Sequence, residues 1–416
     1  ANVSTVDLTN GELTLDSIGT GFVGTAPTIQ LYSLYAPDKD VNVEMDLYGG
    51  GGNYTSSSSS DKDHRGEGGF ARIRFTMKKD EEYVIAGLTD SVNTPFVRAN
   101  KLSSNFNTNI FLKLENLQLT SSFKARGACY AIMKHTLEDP NRGIITMSAG
   151  NHAQAVAYFA NEFKVSSTII MPEQAPFSKV SRTKELGANV ILKGRTLNET
   201  SDFVNNLAKE KNLKLIHPYD DYDVISGQGS IGIEIFEKIN ELDCIVVPIG
   251  GGGLISGISI VAKKINPKIK IFGVESDLYP SAYNKFKKKN LFCSGDTIAD
   301  GIAVKTPGEK TFPIIREYID DIILVDDISI ENTISNLFEY ERIISEGAGA
   351  AGVTAIIENL SLFKNKKVCS IICGGNIDSR IYAGILNKKL SRDGRLARIR
   401  IGITDEPGML SKISNA

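Results

Sequence analysis

Residues 244–264 read CIVVPIGGGGLISGISIVAKK. The first six residues form an apolar run rich in Ile and Val. Gly250, Gly251, Gly252 and Gly253 follow, and Leu254 leads into the helical segment ISGISIVAKK. The stretch is long enough to span a bilayer, but its centre is four consecutive glycines. Strand, turn and helix is therefore the better reading. Glycines let backbone amides approach a bound anion from several directions. A phosphate cradle at a helix N-terminus is the chemistry this pattern suits; a flexible loop is the bland alternative. No Gly-Lys-[Ser/Thr] follows, which argues against a nucleoside-triphosphate loop.

Runs of the same kind recur on both sides: NIFLKL (109–114), GIITM (143–147), STIIMP (167–172), KIFGVE (270–275) and VCSIIC (368–373). Unbroken apolar strands are those buried on both faces. Their alternation with helical stretches implies βαβ units, hence an α/β fold with mostly parallel sheets. Residues 1 to about 90 differ. Glu12-Leu13-Thr14-Leu15 and Arg72-Ile73-Arg74-Phe75 alternate polar and apolar positions, a period-two β pattern. GGGGN (49–53) and SSSSS (56–60) are flexible, low-complexity inserts. We expect a β-rich extension at 1–91, a main domain at 92–390 with a smaller subdomain inserted at about 140–220, and a short third piece at 391–416. Gly19 to Gly24 matches GxGxxG, but Ala26-Pro27 follows where a dinucleotide fold needs a helix to start.

The 416 residues are 41% hydrophobic and 23% charged, with a formal net charge of -2. That balance offers no electrostatic basis for nucleic acid or an anionic membrane as partner. Five cysteines without CxxC spacing argue against a disulfide framework or structural zinc site. The start ANVSTVDLTN lacks the basic and apolar regions of a signal peptide. The expected location is cytoplasmic, with thiols kept reduced.

Three more constellations carry chemistry. Ser121-Ser122-Phe123-Lys124-Ala125-Arg126-Gly127 follows the strand around Phe111. A lysine between strand and helix reaches the cleft at the carboxyl ends of a sheet, and burial would make it a nucleophile for a Schiff base. Taken alone, such a lysine is more often a solvated charge. Ser148-Ala149-Gly150-Asn151-His152 opens a helix after GIITM and offers free N–H groups to an anion; an ordinary N-cap is the alternative. Cys373-Gly374-Gly375-Asn376 ends VCSIIC, placing a thiol where it could touch a bound ring or simply fill core.

In this order the four motifs resemble the fold-type-II pyridoxal-phosphate enzymes, and within them the threonine dehydratase (threonine ammonia-lyase) family, with serine racemase as a relative. The resemblance runs from Thr94-Pro95 to about Lys389 and includes FLKLENLQLTSSFKARGA, SAGNHAQAVAY, TIADGIAVKTPG and SEGAGAAGV. It implies the tryptophan-synthase-β-like architecture of two open, mostly parallel sheets with flanking helices, and pyridoxal 5'-phosphate as cofactor. Lys124 would bind the cofactor covalently and abstract the α-proton. Phe123 would pack beside the ring, Asn151 would bond its hydroxyl, and Cys373 would face its nitrogen. Gly250, Gly251, Gly252, Gly253 and Leu254 would hold the phosphate. Ser148, Asn151 and His152 would receive the substrate carboxylate.

The implied reaction is β-elimination from L-threonine or L-serine, giving a 2-keto acid and ammonia. Serine racemases carry an acid–base serine where this chain has Ala149, so little racemisation is expected. They also bind a divalent cation through acidic residues after the strand matching KIFGVE. Glu275 is kept here, but Tyr279 and Ser281 replace the acidic pair, so no metal site is expected. The family's helical segment before Thr-Pro is replaced by the β-rich stretch. Within that stretch, GEGGFARIRFTMKKDEEYVIAGL resembles glycine-rich adhesive modules. Arg398–Ile403 and Asp405–Leu410 resemble the start of an ACT regulatory domain, with too few residues for a whole one, so no allosteric control is expected. The partner is a small amino acid; a homo-oligomer, dimer or tetramer, is implied by the relatives. Serine racemase or a β-replacement synthase is the runner-up. An inactive relic fused to an adhesin-like binding module is the reading from another class.

Overall fold

The computed structural model describes residues 93–194 and 197–397, together with the backbones of five strands before them. Those strands are β1 (Thr5–Val6), β2 (Gln30–Tyr35), β3 (Val41–Tyr48), β4 (Phe70–Met77) and β5 (Glu82–Gly87). β2 pairs antiparallel with β5 and parallel with β1, and β3 pairs antiparallel with β4. The alternating segment Arg72–Phe75 lies within β4. Residues 12–15, Gly19 to Gly24, the glycine and serine runs, and the ACT-like segment lie outside the described residues.

Ten strands follow: β6 (Phe96–Arg98), β7 (Asn109–Lys113), β8 (Ile144–Met147), β9 (Ser167–Met171), β10 (Asn189–Leu192), β11 (Lys214–Leu215), β12 (Cys244–Pro248), β13 (Lys270–Ser276), β14 (Asp321–Val325) and β15 (Lys367–Ile371). They form a six-stranded sheet in the order β14-β13-β12-β15-β7-β6 and a four-stranded sheet in the order β10-β9-β8-β11. Every pairing is parallel except that of the edge strand β6 with β7. The two mostly parallel sheets are the architecture expected from the apolar runs.

The segment 244–264 resolves as expected into β12, the glycine turn and the helix Gly253–Ile265. All five residues of β12 are buried, as a central strand covered on both faces requires. Among the described residues no helix is long and apolar enough to cross a membrane. Register places Cys244 beside Lys270 of β13 and Val368 of β15, and Val368 beside Ile110 of β7. Parallel strands aligned in this way bring their carboxyl ends to one edge, where ligands of open α/β sheets bind. The residues leaving that edge include Gly250, Cys373 and the segment running to Lys124.

Two helices carry the other candidates. Lys124–Glu138 contributes Ala125, Ala128, Cys129 and Ile132 to a core shared with Ala153, Val156, Ala157 and Phe159 of the helix Asn151–Glu162. Lys124 and Asn151 thus stand at the starts of two helices packed on each other. On its other side Lys124–Glu138 meets the helix Tyr222–Lys238 with almost no spacing. A Cβ on Gly227 would lie 2.6 Å from the Arg126 carbonyl oxygen. Only glycine permits that approach.

A buried charge network anchors the same helix. The Arg126 guanidinium donates to both Glu115 oxygens at 2.8 Å and to Glu234, which also pairs with Lys113. Two cations face two carboxylates, so the buried charges balance. The Thr94 hydroxyl donates to Glu115, tying the Thr-Pro segment to the network. The chain divides into two compact units, Ala1–Asn376 and Ile377–Ala416. In the second, Asp378 caps the helix Ser379–Arg392 by accepting the Arg380 N–H at 2.8 Å.

Candidate active site

Lys124 is the first residue of its helix. Its ammonium donates to the Pro218 carbonyl at 2.6 Å and lies 5.0 Å from the centre of the Phe123 ring. Burial pulls its pKa down to about 8, against the opposing influence of Cys373 and Glu346. A larger fraction of neutral amine is therefore present near neutrality than for a solvated lysine, which is what attack on an aldehyde needs.

Pro218 leads directly into Tyr219, and Tyr219 lies on the glycine turn. A Cβ on Gly251 would sit 2.1 Å from the Tyr219 ring, and one on Gly253 would sit 3.1 Å from the Tyr219 backbone. Gly252 has φ 96°, a conformation that L side chains rarely adopt. The Gly251 carbonyl accepts from the Thr311 hydroxyl at 2.6 Å and the Gly308 N–H at 3.3 Å. In a planar trans peptide the following N–H points the opposite way, so this anchoring fixes the direction of the Gly252 N–H. The first helical bond is Ser256 N–H to the Gly252 carbonyl, 3.0 Å. The N–H groups of Gly253, Leu254 and Ile255 precede it and stand free for an anion. The Leu254 side chain is buried, so only its backbone can serve.

The Ser148–His152 turn has the same character. Ser148 accepts the Gly150 N–H through its hydroxyl at 3.1 Å, and a Cβ on Gly150 would meet nothing within 4 Å. The first bond of the helix is Gln154 N–H to the Gly150 carbonyl, 3.3 Å, which leaves the N–H groups of Asn151, His152 and Ala153 unused. The His152 imidazole is turned inward instead. Its Nε2 lies 3.1 Å from the Ile216 carbonyl, and burial, followed by the Lys124 charge, lowers its pKa to about 3. His152 is thus a neutral, buried ring whose backbone alone faces the turn.

Cys373 is brought beside Lys124 by main-chain pairing. The Phe123 N–H donates to the Cys373 carbonyl at 3.0 Å, and Ser122 bridges Gly374. Burial, followed by the nearby Glu346, pushes the thiol well above its ordinary range, so it is neutral. Phe123, Lys124 and Cys373 are thus joined by main-chain pairing, Gly250 to Leu254 leave β12 of the same six-stranded sheet, and Ser148 and Asn151 leave β8 of the four-stranded sheet.

Sequence reasoning missed several neighbours. Glu346 accepts from the Asn151 side-chain amide at 2.8 Å and from the Asn376 N–H at 3.2 Å. The Asn376 side chain donates to Asn151 Oδ1 at 2.9 Å. Pro218 and Tyr219, which link the amine to the glycines, were not singled out either. The one available signal was Glu346 as the sole charge in SEGAGAAGV.

An amine of depressed pKa next to an anion cradle fits an aldehyde that carries a phosphate, and the orphaned buried hydroxyls of Ser122 and Thr120 mark a polar site rather than plain core. Set at the edge of a parallel sheet, that pairing defines a pyridoxal-phosphate enzyme of fold type II. The chain belongs to the family described as pyridoxal-phosphate dependent enzyme, which matches residues 89–374. It is 42% identical over 306 residues to an L-threonine ammonia-lyase of Thermotoga maritima, covering 73% of this chain and 76% of that one. The processed form of threonine deaminase isoform 2 from Solanum lycopersicum superposes with a TM-score of 0.68 at 34% identity, over 73% of this chain and 84% of that one. Maize serine racemase superposes with a TM-score of 0.67 at 32% identity, over 73% and 94%.

Proposed function

We propose that the chain converts L-threonine to 2-ketobutyrate and ammonia, and L-serine to pyruvate and ammonia. The observation that carries this is the Lys124 amine, one residue's step from the tetraglycine turn through Pro218 and Tyr219. When bound, pyridoxal phosphate supplies an electron sink for the charge left at the substrate α-carbon. The N–H groups of Gly252, Gly253 and Leu254 would seat the phosphate, and Lys124 would hold the aldehyde carbon. The Lys124 amine, once free, would take the α-proton. The N–H groups at the Ser148–His152 turn orient the substrate carboxylate. Cys373, whose thiol is neutral, would be the residue beside the ring nitrogen and would not impose a full positive charge there. Loss of the β-hydroxyl as water, then addition of water and release of ammonia, balances threonine against 2-ketobutyrate plus ammonia.

Ala149 favours elimination over racemisation. It packs against the apolar core beneath the helix Asn151–Glu162 and carries no group that could move a proton. Incubation of the purified protein with L-threonine and cofactor tests the reading. Release of 2-ketobutyrate with ammonia in equal amounts is expected. Conversion of L-serine to D-serine without keto acid would favour the racemase reading. A cytoplasmic homo-oligomer, dimer or tetramer, is the assembly we propose, and sedimentation of the purified protein checks the stoichiometry.

A further inference from the structure

Asn151, Asn376 and Glu346 form a chain of hydrogen bonds whose direction is dictated from both ends. The Thr120 carbonyl can only accept, so the Asn376 side-chain nitrogen must face it, at 2.8 Å. The same nitrogen donates its second proton to Asn151 Oδ1 at 2.9 Å. The Asn151 nitrogen then faces Glu346 Oε1 at 2.8 Å, and an ionised carboxylate, too, only accepts. Reversing any one amide would set two acceptors, or two donors, against each other. The other Glu346 oxygen takes the Asn376 N–H at 3.2 Å, which closes the circuit. Glu346 stands at the N-cap of the helix Gly347–Glu358 yet makes no capping bond with its side chain. A Cβ on Gly374 would lie 2.5 Å from its carboxylate, so the glycine there leaves the room that carboxylate needs.

One N–H of the Asn151 amide is used by Glu346, and the other is left over. We propose that Glu346 is a positioning residue that locks the Asn151 amide so that this second N–H, never the carbonyl, faces the ring oxygen of bound pyridoxal phosphate. This rests on the reading of Asn151 as a cofactor partner given above. A donor in that place favours the ionised form of the ring oxygen. Burial, followed by the charge of Asp300, raises the Glu346 pKa to about 7, while the bonds from Asn151 and Asn376 oppose the rise. Protonated, Glu346 becomes a donor and frees the amide to turn. The charged and titratable groups around it are Asp300 with its partner Lys179, Arg182 through Asn376, and Lys124 and Cys373.

The test uses the full-length protein loaded with pyridoxal phosphate, and reads the visible absorbance band and cofactor affinity. Glu346→Gln is expected to shift the band, to remove its change with pH near neutrality, and to weaken affinity about tenfold, the loss of one charge-assisted bond. Asn151→Ala should do the same, and the double variant should be no worse than either single. Losses that multiply to about a hundredfold, or an unaltered band in Glu346→Gln, overturn the proposal. If Glu346→Gln does not fold, Asn376→Ala must shift the band in the same direction, and an unaltered band there is equally fatal. Failure of the underlying reading is distinct: the unmodified protein would then show no band, and borohydride would leave Lys124 unlabelled.

Discussion

The Tyr219 ring lies so close over Gly251 that a single added carbon would fall 2.1 Å from it. This contact joins the segment after β11 to the turn after β12, and Pro218, immediately before Tyr219, accepts from the Lys124 amine. The glycine turn and the seat of the lysine are therefore mechanically linked.

Gly251→Ala should displace either the turn or the ring and weaken uptake of pyridoxal phosphate by at least about tenfold, a modest toll for a displaced phosphate cradle. Gly251→Ala combined with Tyr219→Ala removes the clash and should recover part of that loss. Fluorescence titration of the apoprotein with the cofactor measures both. Equal affinity in Gly251→Ala and the unmodified protein would show that the turn does not hold the phosphate.

Much of this arrangement was readable in the sequence. β8, β9, β12, β13 and β15 announce themselves as apolar runs because they are covered on both faces, whereas in β7 Asn109 and Phe111 are only half-buried. β10 has no buried residue, and β11 spans only Lys214–Leu215, so neither has an apolar signature. The glycine turn and Cys373 were legible because each follows a strand end, and Lys124 because it opens a helix, each with its own local pattern. The bond of Lys124 to Pro218 spans 94 positions, and that of Asn151 to Glu346 spans 195. Such pairings depend on how the sheets stack, which no local pattern encodes.

Ala149→Ser places a hydroxyl where the related racemases carry one. The variant should form D-serine from L-serine, or exchange the α-proton with deuterated solvent, well above the background of the unmodified protein. Chiral chromatography and proton NMR read the two outcomes. No gain in either would mean that the neighbouring groups, not this residue, set the outcome of the reaction.

Arg126→Met strips both Glu115 and Glu234 of their shared partner while leaving them buried. A loss of about 3–5 kcal/mol is expected from the uncompensated charge. Chemical denaturation of the apoprotein gives the value. A loss below about 1 kcal/mol, the size of an exposed pair, would mean that water reaches the network.

Glu275 is occupied by protein donors. It accepts the Ala282 N–H at 2.8 Å, the Tyr283 N–H at 2.7 Å and the Ser281 hydroxyl at 3.2 Å. Burial raises its pKa to about 7 despite these bonds. Magnesium or calcium should therefore leave the melting temperature unchanged, because a cation would have to displace all three donors. A saturable rise in melting temperature would show that a cation site forms there.

The reactivity of Lys124 should follow its depressed pKa. Its amine is mostly protonated below about 8 and neutral above it. The rate at which the apoprotein captures pyridoxal phosphate should climb as pH rises through that value, whereas an ordinary lysine would need pH near 10. Stopped-flow absorbance on the apoprotein checks the midpoint.

Borohydride reduction of the cofactor-loaded protein, followed by peptide mass mapping, tests the central claim most directly. The account predicts one labelled lysine, Lys124, with loss of the visible band and of keto-acid release, and neither label nor turnover in Lys124→Ala. A label on another lysine, or turnover retained in Lys124→Ala, would contradict it.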